Sequence, residues 1–367
     1  MDLMTGRCWL LVLMASLTAC GSTQSSTPND AGGVGSSSVV STTSPGPEDF
    51  EPEGTSALPS PGSILAPAAA ELPVPADVAT IPPPATAPTP SSTVACNQTN
   101  GVVMTASGRQ ILLRADGLSS PSPTVLVLHG YTGTPTGIER VAELTEVANA
   151  AGIAVAYPEG TPTSRGGFAW DSGAKVFATS GVDDVAALAE MIDAVVASGC
   201  VDRDRVTVTG ESNGAGMTLA AVCSPELRGV FRSAVMVIPA IDDGVLARCE
   251  ASDSALPLTV VAGRADRTAP FDGGNGLLAQ ETWFDTVAAS VQGCSSIALV
   301  APLSDNVERW AGEGCGSCTE LLIVGDGPHT WPGTSVGSGG LKPGTFDLNR
   351  RIVADVLAPE PGCLGSK

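Results

Sequence analysis

Apolar positions between residues 124 and 356 fall into two alternating kinds of run. Short unbroken ones, at Thr124-Val-Leu-Val-Leu128, Ile153-Ala-Val-Ala156, Val206-Thr-Val-Thr209, Ala234 to Ile238, Leu258 to Val261 and Leu321 to Val324, read as strands buried on both faces. Longer segments follow most of them, with apolar residues recurring at helical spacing: Gly137 to Ala150, Val182 to Ala197, Asn213 to Val222, Gly276 to Val291 and Leu348 to Val356. Asp183 and Asp184 open the second of these, where the helix dipole favours acids. Strand and helix in alternation predict an α/β fold, a mostly parallel sheet covered by helices on both faces. Ligands meet such a sheet at the carboxyl ends of its strands, so the residues just after each strand are the ones to search for chemistry.

Gly210-Glu-Ser-Asn-Gly214 stands directly between a strand and a helix. This G-x-S-x-G pattern in that context is a nucleophile elbow, a sharp turn that lifts Ser212 Oγ clear of the sheet. A serine hydroxyl needs a base with a pKa near neutrality, and the chain has two histidines, His129 and His329. His129 closes a strand and precedes Gly130-Tyr131-Thr132-Gly133, the place of the oxyanion loop, so its expected part is to brace that loop. His329 follows the last apolar strand and is left as the base. Asp266 leaves the strand Leu258 to Gly263 and is the expected acid, ahead of Asp272 and Asp242; the order Ser, acid, His along the chain fits. The oxyanion donors would be the backbone N–H of Asn213 and that of Tyr131 or Thr132.

The ends change the picture from enzyme to exported enzyme. Arg7, the apolar run Trp9 to Met14 and Leu17-Thr-Ala-Cys20 resemble a bacterial lipoprotein signal, in which the cysteine is acylated and becomes the first residue of the mature chain. Residues 1–19 are therefore expected to be removed, with Cys20 as a lipid anchor to the outer face of the cell membrane or envelope. Residues 20–95 are rich in Ser, Thr, Pro, Ala and Gly, carry acids and have no Lys or Arg, the composition of a disordered tether. Residues 96–367 form the expected catalytic domain. With 38 acids against 18 bases and a formal charge of −20, nucleic acid is excluded as a partner, since phosphate contacts need clustered cations. The expected partners are an ester substrate and the membrane, for a monomer without metal or other cofactor.

Eight cysteines remain in that domain, and in an exported chain they read as disulfides, although eight allow on the order of 100 pairings. Cys223 ends the helix after Ser212 and Cys249 lies in the following connection, so a bridge between them would brace the nucleophile helix. Cys294 follows a helix and Cys315 and Cys318 precede the strand leading to His329, so Cys294 should pair with one of those two. Cys96, Cys200 and Cys363 have no partner assigned by position.

Leu128-His-Gly130, Tyr157-Pro-Glu-Gly160, Trp170-Asp171, Asp183-Asp-Val185, Val201-Asp202, Ser212-Asn-Gly214 and His329-x-Trp331-Pro-Gly333 together resemble the polyhydroxybutyrate-depolymerase-like and feruloyl-type esterases, α/β-hydrolases. The resemblance places the family's triad on Ser212, Asp266 and His329. It also has departures. Tyr131-Thr132-Gly133 stands where glycine runs are common, Ala262-Gly263 where His-Gly is common, and no extra polymer-binding domain follows. Pro239 to Leu256 is too short for a lid domain, so an open site is expected. The implied activity is hydrolysis of acyl groups on carbohydrates or of small hydroxyacid esters. The alternatives are a hydroxyalkanoate oligomer or polyester depolymerase, and a catalytically idle surface lipoprotein that binds a ligand.

Overall fold

The computed structural model of the chain describes residues 96, 100–118, 121–177, 181–249, 252, 255–335 and 346–357. The signal segment, the tether, Cys20 and Cys363 lie outside the described residues. The chain divides between Pro82 and Pro83, and everything described belongs to the second unit.

A hairpin of β1 (Asn100–Met104) and β2 (Gln110–Arg114) leads into β3 (Ser122–Leu128), α1 (Pro135–Ala142), α2 (Leu144–Ala150) and β4 (Ala154–Pro158). A small ribbon of β5 (Thr161–Pro162) and β6 (Phe168–Ala169) precedes α3 (Asp184–Ala197), β7 (Val201–Glu211), α4 (Asn213–Cys223), β8 (Phe231–Val237) and the short α5 (Asp243–Ala247). β9 (Leu258–Gly263), α6 (Gln280–Ser290), β10 (Ser296–Ser304), β11 (Val307–Glu313), β12 (Thr319–Val324) and α7 (Leu348–Leu357) complete the described elements. All strands but β5 and β6 join one sheet in the order β1-β2-β4-β3-β7-β8-β9-β12-β11-β10. The six strands from β4 to β12 in that order are parallel, and an antiparallel pair flanks them at each edge. With the strand, sharp turn and helix at Gly210 to Gly214, this is the α/β-hydrolase fold.

Strand alternation sorts the core into two layers. Leu126, Leu128, Val208 and Met236 face α3, α4 and α6, through Leu188, Met217 and Trp283. Val125, Val127, Val235 and Val237 face α1, α2 and α7, through Ile138, Leu144 and Ile352. Burial on both faces is why the central strands read as continuous apolar runs.

Two expectations are corrected by the structure, and four strands are added. The single helix expected over 137–150 is two, because Glu143 adopts φ +49° between α1 and α2. Tertiary partners hold the break: Asn349 Nδ2 takes the Ala142 carbonyl at 2.7 Å, and the Glu143 carboxylate accepts from the Ser335 backbone at 2.9 Å. The helix expected from Gly276 starts at Gln280, since Gly273, Gly274, Asn275 and Gly276 all have positive φ. β1, β2, β10 and β11 had no counterpart in the sequence reading. The edge strands β1 and β10 are half-exposed and lack the unbroken apolar signal of a central strand, while the buried run of β2, Ile111-Leu-Leu113, is only three residues long.

Disulfides join Cys223 to Cys249 and Cys294 to Cys315, and Cys96 to Cys200; Cys318 is disulfide-bonded as well. Among the described residues of the connection 239–256, α5 is the only helix.

Candidate active site

The sheet's strand order reverses at β3, which has β4 on one side and β7 on the other. Loops leaving β3 and β7 at their carboxyl ends therefore meet at a crevice, where α/β sheets place ligands. Gly130 follows β3, and a Cβ built on it would stand 3.6 Å from Ser212 Cβ.

Ser212 itself has φ +55° and ψ −113°, conformational strain that a serine adopts only when its surroundings impose it. Its N–H donates to the Val237 carbonyl at 3.0 Å, and its carbonyl accepts from Gly216 at 3.1 Å and Ala240 at 3.3 Å. The flanking glycines are steric necessities. A Cβ on Gly210 would collide with the Gly214 carbonyl, and one on Gly214 with that of Leu128. Ser212 is 7% exposed at the start of α4.

Asn213 spends its side chain on scaffolding: Oδ1 accepts from Trp170 N–H at 2.8 Å and Nδ2 donates to the Trp170 carbonyl at 3.0 Å. Trp170 Nε1 donates to the His129 carbonyl at 3.0 Å. His129 is fully buried, and its two ring nitrogens are both used. Gly160 N–H donates to Nε2 at 3.1 Å, so Nε2 is the acceptor and Nδ1 carries the proton toward the Gly130 carbonyl, 2.8 Å away. Burial pushes its pKa down to about 4. His129 is neutral at pH 7 and ties the β3 loop to the β4 loop. Thr132 has φ +60°, and the backbone N–H groups of Tyr131, Thr132 and Asn213 are left without an acceptor among the described residues.

Asp266 and His329 come from β9 and β12, neighbours in the sheet. Arg264 N–H donates to Val324 and Ala265 N–H to Gly327, which hold the two loops side by side. His329 Nδ1 lies 2.6 Å from Asp266 Oδ2, while Asp266 Oδ1 accepts from the N–H groups of Thr268 at 2.8 Å and Ala269 at 2.9 Å. Both carboxylate oxygens are thus fixed, and the ring is turned so that Nε2 is the nitrogen left for a reacting proton. The other two carboxylates weighed from sequence lie elsewhere. Asp242 caps α5 through Oδ1 and accepts from Lys175 and Val176 through Oδ2, and Asp272 is exposed.

Two residues near this cluster were not singled out from sequence. Glu211, beside Ser212, is largely enclosed; burial raises its carboxyl pKa and the nearby His329 opposes the rise. Phe177 rests against Tyr131, with ring centroids 5.1 Å apart. The x of G-x-S-x-G was the signal for the first; nothing in the sequence placed the second.

Residues 140–246 match the prolyl oligopeptidase family, a span that contains Ser212 and ends before Asp266 and His329. The chain is similar to NocK, a candidate esterase of Nocardia uniformis subsp. tsuyamanensis, at 28% identity over 212 residues. That match covers 52% of this chain and 59% of the relative, so the chain spans less than two thirds of the relative's length. Among solved structures, an acetyl xylan esterase from Aspergillus awamori aligns with a TM-score of 0.48 and 18% identity, over 61% of this chain and 90% of that one. A thermophilic esterase of the planctomycete Thermogutta terrifontis, with butyrate bound, aligns with a TM-score of 0.48 and 14% identity, over 74% and 97%.

Proposed function

We propose that residues 96–367 are the catalytic domain of an exported serine esterase that cleaves acyl groups from carbohydrates or hydrolyses small hydroxyacid esters. The observation that carries this reading is the 2.6 Å hydrogen bond between Asp266 and His329, made at the same end of the sheet as the strained Ser212 turn. Similarity to NocK supports ester chemistry. The anchor is Cys20, acylated after removal of residues 1–19, with residues 20–95 as the tether; the support for both is the sequence pattern.

In this reading Ser212 Oγ attacks the ester carbonyl carbon while His329 Nε2 takes its proton. The Asp266 carboxylate stabilises the resulting imidazolium through Nδ1–H. Negative charge on the former carbonyl oxygen meets the N–H of Asn213 and that of Tyr131 or Thr132, each such donor typically contributing about 2.7 to 4 kcal/mol to the transition state. The imidazolium then protonates the departing alcohol, leaving an acyl-serine. Water, deprotonated by His329, attacks the acyl-serine, and collapse returns the proton to Ser212 and releases the acid.

The test is hydrolysis of 4-nitrophenyl acetate beside the matching amide, 4-nitroacetanilide. Wild type turns over the ester much faster, and Ser212→Ala and His329→Ala each lower kcat by about a thousandfold or more without shifting the melting temperature. A variant that keeps more than about a tenth of the rate overturns the assignment, because residual oxyanion binding is far weaker than that. Faster cleavage of the amide would favour the peptidase chemistry suggested by the prolyl oligopeptidase match. A wild-type protein inert to both compounds would favour the idle ligand-binding alternative. If ester turnover holds, 3-hydroxybutyrate oligomers and acetylated sugars separate the depolymerase alternative from the carbohydrate reading.

A further inference from the structure

The segment 159–171, which leaves β4 and returns through the β5–β6 ribbon, lies against both elements that carry the candidate oxyanion donors. On the loop after β3, Gly160 N–H donates to His129 Nε2 at 3.1 Å, Trp170 Nε1 to the His129 carbonyl at 3.0 Å and Phe168 N–H to the Gly133 carbonyl at 2.9 Å. A Cβ on Gly167 would collide with the Thr132 carbonyl, so the segment is pressed close against that loop. On α4 it meets the Asn213 side chain, whose Oδ1 accepts from Trp170 N–H at 2.8 Å and whose Nδ2 donates to the Trp170 carbonyl at 3.0 Å. Trp170 is fully buried and touches both sides.

Asp184 holds the segment from behind. The start of α3 does not need it, since Asp183 caps that helix by accepting from Val185 and Ala186 N–H. An acid in a first turn gains from the helix dipole while facing water, whereas a buried carboxylate costs stability unless its oxygens are paired. Asp184 is nonetheless 1% exposed. Its Oδ2 accepts from Asp171 N–H at 2.7 Å, and its Oδ1 accepts from Thr161 Oγ1 at 2.8 Å and pairs with Arg109 Nη1 at 2.7 Å. Arg109 Nη2 in turn donates to Thr161 Oγ1 at 2.8 Å. One carboxylate thus grips the segment near both its ends, and Trp170 adjoins the gripped Asp171. An oxyanion hole works by preorganisation, and a misplacement of about 1 Å can cost on the order of a hundredfold in rate. Its donors here sit on two separate elements, so their spacing is set by whatever ties those elements together.

We propose that Trp170 is a positioning residue of the oxyanion hole: its indole on His129 and its peptide groups on Asn213 set the spacing of the donor after β3 and the donor on α4, and Asp184 pins it there. The proposal rests on the reading of Ser212 as an ester nucleophile.

The experiment compares methyl butanoate with O-methyl butanethioate, which carries a thiocarbonyl sulfur in place of the carbonyl oxygen, in wild type, Trp170→Phe and Thr161→Val. Sulfur is the bulkier and weaker acceptor, so a well-placed hole favours the oxygen ester and a misplaced one loses that preference. A displaced nucleophile or a folding defect slows both esters alike and leaves their ratio in place. Trp170→Phe keeps an aromatic ring and removes the indole donor. It is expected to lower kcat for methyl butanoate about tenfold to a hundredfold with KM within about twofold, and to lower the oxygen-over-sulfur ratio of kcat/KM about fivefold or more. Thr161→Val removes the hydroxyl between Arg109 and Asp184; it is expected to lower the ratio about threefold, and it carries the test if Trp170→Phe does not fold. A ratio that stays within about twofold of wild type in folded Trp170→Phe, or within about a quarter of it in Thr161→Val where that variant stands alone, overturns the brace even if both esters are slowed. Ser212→Ala is the control: loss of methyl butanoate turnover there beside an unmoved ratio sinks the brace alone, whereas retained turnover sinks the esterase reading and the brace with it.

Discussion

Asp266 and Asp272 stand six residues apart on one loop, yet they differ in what their oxygens meet. Asp266 is 5% exposed, with one oxygen on two backbone N–H groups and the other on His329, whereas Asp272 faces solvent. Asp266→Asn should cut kcat by several orders of magnitude, since an amide no longer holds the imidazole in its proper tautomer or stabilises its charge, while Asp272→Asn leaves kcat within about twofold. The reverse pattern in steady-state kinetics would move the acid to Asp272. His129 yields a different kind of prediction, because burial lowers its pKa from an ordinary value near 6.5 to about 4. Between those values the unfolded chain binds a proton that the folded chain refuses, so stability rises with pH across the window. It is complete above about 6.5 and falls by on the order of 3 kcal/mol as pH drops to 4. Glu211 works in the opposite sense, its raised pKa favouring the folded form at low pH and losing that contribution as pH rises. Urea unfolding of wild type and His129→Gln at pH 7.5 and 4.5 isolates the histidine: the difference in stability between the two proteins should shrink at the lower pH. A constant difference would mean that His129 titrates in the fold as it does in the unfolded chain.

At the scale of elements, α4 carries the greatest demand, since it must hold Ser212 in a strained turn. Every residue of α4 is buried, and its last one, Cys223, is bonded to Cys249 just beyond α5. The bridge closes a loop with a sequence separation of 26, for which chain entropy predicts a contribution of about 3.5 kcal/mol. Cys223→Ala combined with Cys249→Ala should therefore lower the denaturant midpoint with little change in slope, and leave kcat near wild type at temperatures where the protein stays folded. A large loss of kcat in fully folded protein would mean that the bridge also sets the geometry of the elbow. The α1–α2 break, which sequence missed, is held by distant partners, Asn349 and Ser335, and local periodicity contains none of that information. The β10–β11 hairpin was missed for another reason: β10 is a half-exposed edge strand paired only with its neighbour in the chain, without an unbroken buried run.

For the molecule as a whole, an acidic chain with a cysteine at a signal-like cleavage site leads to one more expectation. Cys20→Ser should abolish incorporation of labelled fatty acid and move the protein from the membrane fraction to the soluble one, with esterase activity retained. Persistence in the membrane fraction would require a second anchor. No helix among the described residues is long and apolar enough to cross a membrane. What the sequence determined by itself was the alternation of buried strands and helices, the elbow at Ser212, and the candidate base and acid, because each is written in contiguous residues: a periodicity, a five-residue motif, a residue just past a strand. Tertiary structure decided the rest. It brought Asp266 and His329 together across 63 positions of sequence, set Asp242 against the backbone of Lys175 and Val176, Glu211 near the histidine and Phe177 against Tyr131, and ordered the strands so that the loops after β3 and β7 lie side by side. These are contacts between segments far apart along the chain, and their pairing depends on which strand lies beside which, a choice fixed by the packing of two core layers and carried by no local pattern.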